Sequence, residues 1–112
     1  MCGIFCSINN RLSDTNLRAI ADSLDHRGPD GRGFYKSPCG TVSLVHTRLS
    51  INDLSNGKQP ILNESREIVL VCNGEIYEMA KHRKSLESKG HKFTSNSDSE
   101  IILHLYEEYE EK

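Results

Sequence analysis

The chain opens Met-Cys-Gly-Ile-Phe, and its second residue has the most chemistry to offer. If Met1 is removed, Cys2 carries a thiol and a free α-amine together. Such an amine titrates at about 7.7–8.0 and can act as a base near neutrality, while a deprotonated thiol is a strong nucleophile. One residue then supplies both nucleophile and base. The position also suits a small packed residue at the start of a strand, because free cysteines are often buried.

The other cysteines are Cys6, Cys39 and Cys72. No two form a CxxC pair, and no histidines near them complete a familiar zinc spacing, so no structural metal is expected. Cys6 and Cys72 fit strand patterns and are expected as packed thiols, while Cys39, between Pro38 and Gly40, is expected in a turn. The 112 residues suffice for one domain, with 36% hydrophobic and 27% charged residues. The net charge of -2 gives no pull toward nucleic acid or anionic membrane. No apolar run nears the roughly 20 residues needed to span a bilayer. The start has no basic segment, and polar residues arrive by Ser7 and Asn9, so a cytoplasmic location is expected.

The elements that must position these groups follow from periodicity. Residues 2–8 alternate as a strand with apolar residues on both faces, which predicts a central, sandwiched position. Leu17, Ile20, Ala21 and Leu24 form a helical stripe, capped by Ser13 or Asp14. Residues 28–33 read as loop, Phe34-Tyr35 as the opening of a short strand, and 41–47 as a clear strand. Residues 49–60 read as a long shaped loop, and 67–72 as a strand ending at the turn signal Asn73-Gly74. A helix over about 76–88 ends at Gly90. A small strand is possible at 91–94. The last helix starts at Ser97-Asp98-Ser99-Glu100, a capping-box spacing, with Ile101, Ile102, Leu105, Tyr106 and Tyr109 inward and glutamates outward. This order describes an α+β chain.

Six segments in order carry a resemblance: the start MCGIF, HRGPDG at 26–31, HTRLSI at 46–51, GKQP at 57–60, NGEIY at 73–77 and SDSE at 97–100. Together they resemble the glutaminase domain of class II, N-terminal-nucleophile glutamine amidotransferases, nearest the asparagine synthetase type. The resemblance implies that Cys2 attacks the side-chain amide of glutamine, forming a thioester that releases ammonia and then glutamate. It implies that the Asn73 side chain and the Gly74 amide stabilise the oxyanion, although by themselves these residues read as a turn. Arg48 would hold the α-carboxylate of glutamine, and Asp98 and Glu75 its α-amine. Read alone, Arg48 suits a solvated surface and Asp98 a helix start. His46 is expected to support the arginine loop rather than act as base, and His26 and Arg27 to fix the shape of the glycine loop that starts at Gly28, with Arg27 and Gly28 as supporting residues.

The implied fold is the four-layer α-β-β-α arrangement with antiparallel sheets. The family's further strands and its ATP- and Mg-dependent synthetase domain have no counterpart in 1–112, so the chain reads as a partial glutaminase domain without a cofactor of its own. Glu78 stands where asparagine synthetases usually show Asn. An incomplete sheet would expose an edge and an apolar face for a synthetase subunit or a second copy to cover. The alternative function is therefore a non-catalytic binding or regulatory domain, or an inactive remnant, that docks on a partner.

Overall fold

The computed structural model describes residues 2–49, 58–73, 79–95 and 98–109. The chain is α+β with antiparallel sheets, and its order is β1 (Gly3–Ile8), α1 (Asp14–Leu24), β2 (Gly31–Lys36), β3 (Val42–Arg48), β4 (Ile61–Leu62), β5 (Val69–Leu70), α2 (Met79–Ser88) and α3 (Ser99–Tyr109). These elements fall into two units, Met1–Pro60 with Val71–Asn73, and Ile61–Leu70 with Gly74–Lys112. No described helix is long and apolar enough to cross a membrane.

The first unit is a three-stranded sheet in the order β1-β3-β2 with α1 on one face. The strand expected to be central is instead an edge. β3 takes that place, flanked by antiparallel partners on both sides, and its residues 43–47 are all buried. Side chains alternate across the pleat, so the register Phe5↔Val45↔Phe34 puts these residues on one face. There Val45 packs with Leu17 and Ala21 of α1, with Phe5, Leu12 and Ile20 around them. The opposite face of β1 is left open: Ile4 is 47% and Ile8 66% exposed, and Cys6 is exposed rather than packed.

Ser13 caps α1, accepting from the Asn16 amide at 3.1 Å while the Asn16 side chain accepts from the Ser13 amide. The loop expected over 28–33 is shorter, because β2 already begins at Gly31. Gly31-Arg32-Gly33 enters the sheet through antiparallel pairing, with Gly31 opposite Arg48, Arg32 opposite Thr47 and Gly33 opposite His46. Arg32 and Lys36 lie on the α1 side, where Arg32 pairs with Asp22 and Asp25 and Lys36 with Asp14.

In the second unit, β4 and β5 form a short hairpin closed by Asn63, whose side-chain oxygen accepts from the amides of Glu67 and Ile68, both at 3.0 Å. The strand expected over 67–72 shrinks to Val69–Leu70. Helix α2 ends at Gly90 as expected, with φ of 97° and a double closure: the His91 amide to the Leu86 carbonyl and the Gly90 amide to the Glu87 carbonyl. This is a Schellman end, for which glycine tolerates the left-handed backbone. Residues 91–94 form no strand. Helix α3 buries Ile101 and Leu103 together with the polar Ser99, Glu100 and His104, while Tyr106 and Tyr109 stay exposed. The expected apolar face is thus rotated, because Glu100 and His104 find polar partners indoors. Ser97, the expected cap, lies outside the described residues.

The core of the first unit should respond sharply to truncation and weakly to loss of its surface ion pairs. Leu17→Ala removes a side chain only 3% exposed and should cost about 2–5 kcal/mol in urea unfolding. Arg32→Ala should leave the midpoint nearly unchanged, because exposed ion pairs contribute little.

Candidate active site

The antiparallel register does the positioning. Gly3 lies opposite Thr47, so the chain leading into β1 brings Cys2 to the end of β3 that carries Arg48. On the other side Gly31 pairs with Arg48, which brings the start of β2 to the same end. The loop before β2 is tied there too, through a bridge between Pro29 and Arg48 and a bond from the Asp30 amide to the Arg48 carbonyl at 2.8 Å. Three sequence motifs therefore meet at one end of one sheet.

Cys2 is half-buried at this end. Its sulfur accepts from the Leu49 amide at 3.4 Å, and its carbonyl accepts from Arg27 Nε at 3.3 Å. An amide aimed at sulfur is a donor a thiolate can use. Gly28 has no room for a side chain, since a Cβ there would strike the backbone of Thr47 and Arg48. Gly28 thus passes tight against β3, and Arg27 ties the Cys2 backbone to the same loop. The side chain of Thr47 turns to the other face, donating to the Leu24 carbonyl at 3.1 Å.

His46 is 1% exposed, and its Nε2 lies 3.3 Å from the Cys72 carbonyl. Its link runs to the segment carrying Asn73, not to the Cys2 thiol. Burial pushes its pKa down, and Arg48 adds to this, against a raising contribution from the Cys72 carbonyl. A neutral ring donating Nε2–H to that carbonyl satisfies the geometry. The Cys72 amide is held as well, donating to Gln59 Oε1 at 2.6 Å. Cys72 is therefore clamped from both sides, and Asn73 emerges exposed just beyond the clamp. Gln59 reaches this place because Gly33 lets the Gln59–Pro60 backbone pass against β2.

Cys2, Arg27, Gly28, His46, Arg48 and Asn73 all belong to the first unit. Gly74 and Glu75 lie outside the described residues. Asp98 belongs to the second unit, where its carbonyl accepts from the Ile101 amide at the start of α3. Sequence reasoning missed Leu49, Thr47 and Gln59 as working parts. Gln59 sits in the GKQP segment, but its role comes from a long-range contact that no local pattern announces. Cys39 lies in the turn between β2 and β3, at the far end of the sheet from Arg48. The hydroxyls of Thr41 and Ser37 lower its thiol pKa to about 7, so it is the competing thiol in any labelling experiment.

The depressed His46 gives a pH signature. Its folded pKa lies below the unfolded value of about 6.5, so the unfolded chain binds the proton more readily. The stability it contributes is complete above that value and is lost as pH falls toward the folded pKa. Urea midpoints measured from pH 7.5 to 5 should therefore drop, and His46→Gln should flatten that part of the profile.

A family profile described as "Glutamine amidotransferase domain" matches residues 1–112. The chain is 43% identical over 113 aligned positions to asparagine synthetase [glutamine-hydrolyzing] 1 of Arabidopsis thaliana, covering 97% of this chain and 19% of that one. It is 45% identical to the probable asparagine synthetase [glutamine-hydrolyzing] of Dictyostelium discoideum, covering 96% and 20%. The Brassica oleracea asparagine synthetase [glutamine-hydrolyzing] is 43% identical, covering 99% and 19%. The chain spans about a fifth of the length of these curated relatives. A profile matched over the whole chain and relatives that all hydrolyse glutamine by name agree: this chain belongs to the glutamine amidotransferase domain family.

Proposed function

We propose that the chain is a glutaminase domain that hydrolyses the side-chain amide of glutamine to glutamate and ammonia through a Cys2 thioester. The observation that carries this reading is the meeting of Cys2, Arg48 and the Pro29–Asp30 loop at one end of the sheet. Once Met1 is gone, the α-amine of Cys2 takes the thiol proton and the sulfur attacks the amide carbon. The tetrahedral oxyanion is held by the Asn73 side chain and the Gly74 amide, and its collapse expels ammonia carrying that proton. Water then attacks the thioester, releasing glutamate and restoring the thiol. Preorganised donors matter most here because charge appears on oxygen only in the intermediate.

Arg48 suits the α-carboxylate, since its planar fork can form two parallel bonds. Asp98 and Glu75 take the α-amine. His46, neutral and turned to Cys72, has the role of fixing Asn73 at its place. This half-reaction uses no cofactor, and ATP and Mg belong to the ammonia-consuming synthetase partner. Residues 1–112 act in the cytoplasm as part of a four-layer α-β-β-α glutaminase domain. A second reading, a docking domain on a synthetase subunit or a second copy, is favoured by the exposed Ile4 and Ile8 on the edge strand β1.

Ammonia release from glutamine, measured on chain whose intact mass shows Met1 removed, tests the assignment. Cys2→Ala should abolish release while leaving glutamine binding. Asn73→Ala should lower kcat by about 100–1,000-fold. Arg48→Ala should weaken binding by about 10–100-fold, as expected for a lost charged hydrogen bond. Turnover persisting in Cys2→Ala, or activity in chain that retains Met1, would overturn the mechanism. Inactivity of correctly processed chain would favour the docking reading.

A further inference from the structure

Three ligand-type atoms lie close together in the second unit, on residues given no role above. His91 Nδ1 and His104 Nδ1 are 3.3 Å apart, Glu107 Oε1 is 2.8 Å from His104 Nδ1, and it is 3.7 Å from His91 Nδ1. Zinc bonds of about 2.0–2.1 Å at the tetrahedral angle place ligand atoms about 3.3 Å apart. The triangle already has nearly that size.

The far side of each group is held in the way a ligand's is. His104 Nε2 faces Glu100 Oε2 at 3.1 Å, and His91 Nε2 faces Glu108 Oε2 at 2.8 Å. Glu107 Oε2 accepts from Asn63 Nδ2 at 3.0 Å. With N–H at both Nε2 atoms facing their carboxylates, both Nδ1 atoms can offer lone pairs to a metal that displaces the proton His104 Nδ1 shares with Glu107. Two imidazole nitrogens and a carboxylate oxygen then lie within 3.7 Å of one another. A proton can serve one or two of them, whereas a divalent cation serves all three. Carboxylate partners behind histidine ligands are the usual arrangement at zinc centres, where they fix tautomer and ring orientation.

The scaffold is also set in advance. The Schellman end of α2 fixes the backbone of His91, and His104 and Glu107 are one turn apart on α3. His104 is buried against Phe93, with ring centroids 4.4 Å apart, whereas the Glu107 side chain is 25% exposed and open to water. We infer that His91, His104 and Glu107 form a binding site for a divalent transition metal of zinc type, with a fourth position open to solvent. The site pins the end of α2 to α3 and takes no part in the chemistry proposed for Cys2. Cysteine spacing in the sequence gives no sign of it.

Cobalt(II) and zinc titrations of the reduced, chelator-treated chain test this. One equivalent of cobalt should bind with the visible bands of a tetrahedral site, without a thiolate charge-transfer band, and zinc should displace it. Long-range nitrogen–proton spectra of the zinc-loaded chain should shift Nδ1 of His91 and His104 and leave His26, His46 and His82 unmoved. His91→Ala should lose the visible bands, and Glu108→Gln should weaken affinity by about 10–100-fold. Absence of saturable binding, a thiolate band, or tetrahedral binding unchanged in His91→Ala would each overturn the site. Should His91→Ala fail to fold, the ring-nitrogen shifts of the unaltered chain decide alone: no shift at His91 and His104 refutes it.

Discussion

The first unit depends on the close approach of three chain segments around Thr47. Gly3 lies opposite it in β1, where a Cβ would press on the Thr47 hydroxyl at 2.5 Å. Gly28 passes against its backbone with no space for a side chain. Its own hydroxyl donates to the Leu24 carbonyl, tying the end of α1 to the sheet. These contacts set how near the start of β1, the end of β3 and the glycine loop can come. Cys2 and Arg48 are the residues immediately flanking this junction, so the distance between the thiol and the guanidinium is governed by glycines and a threonine. Close packing transmits small volume changes, so these small residues are as constrained as the thiol and guanidinium they position.

Much of this was legible in the sequence, for identifiable reasons. The period-two alternation of 41–47 marked β3, Ser13 was one of two residues suited to cap α1, and Gly90 announced the end of α2 because its conformation suits few other residues. The motifs picked out Cys2 and Arg48, which the register then brought to one end of the sheet. What could not be read was pairing. Alternation on both faces of β1 predicted a central strand, yet centrality depends on which strand acquires two neighbours, and β3 did. Arg32 looked like loop because the two aspartates that draw it against α1 sit elsewhere in the sequence. Likewise Gln59 clamps Cys72 from 13 residues away.

The last helix shows a different limit. A helical wheel sorts residues by hydrophobicity, and on that basis Glu100 and His104 belong outside. Burial does push the Glu100 carboxyl upward, but bonds from Ser95, Thr94 and His104 outweigh it and leave the group below its ordinary value. The charge is kept indoors because its lone pairs are met by amides and hydroxyls of the loop before α3, at 2.6–3.3 Å. Without those partners the same burial would be costly. The polar face of α3 is therefore specified jointly by the helix and the loop, and neither pattern alone contains it.

The two buried histidines make the general point. His46 meets a single carbonyl and Arg48 lies near, so its surroundings disfavour a cation and leave a neutral donor that orients Cys72. His104 meets carboxylate oxygens at both nitrogens. Both are nearly inaccessible, at 1% and 2% exposure, so burial cannot distinguish them. The partner atoms do. In one unit an imidazole meets a backbone carbonyl, and in the other the same ring stands between carboxylates. Residue type and burial leave these two uses equivalent, and only the identity of the facing oxygen separates them.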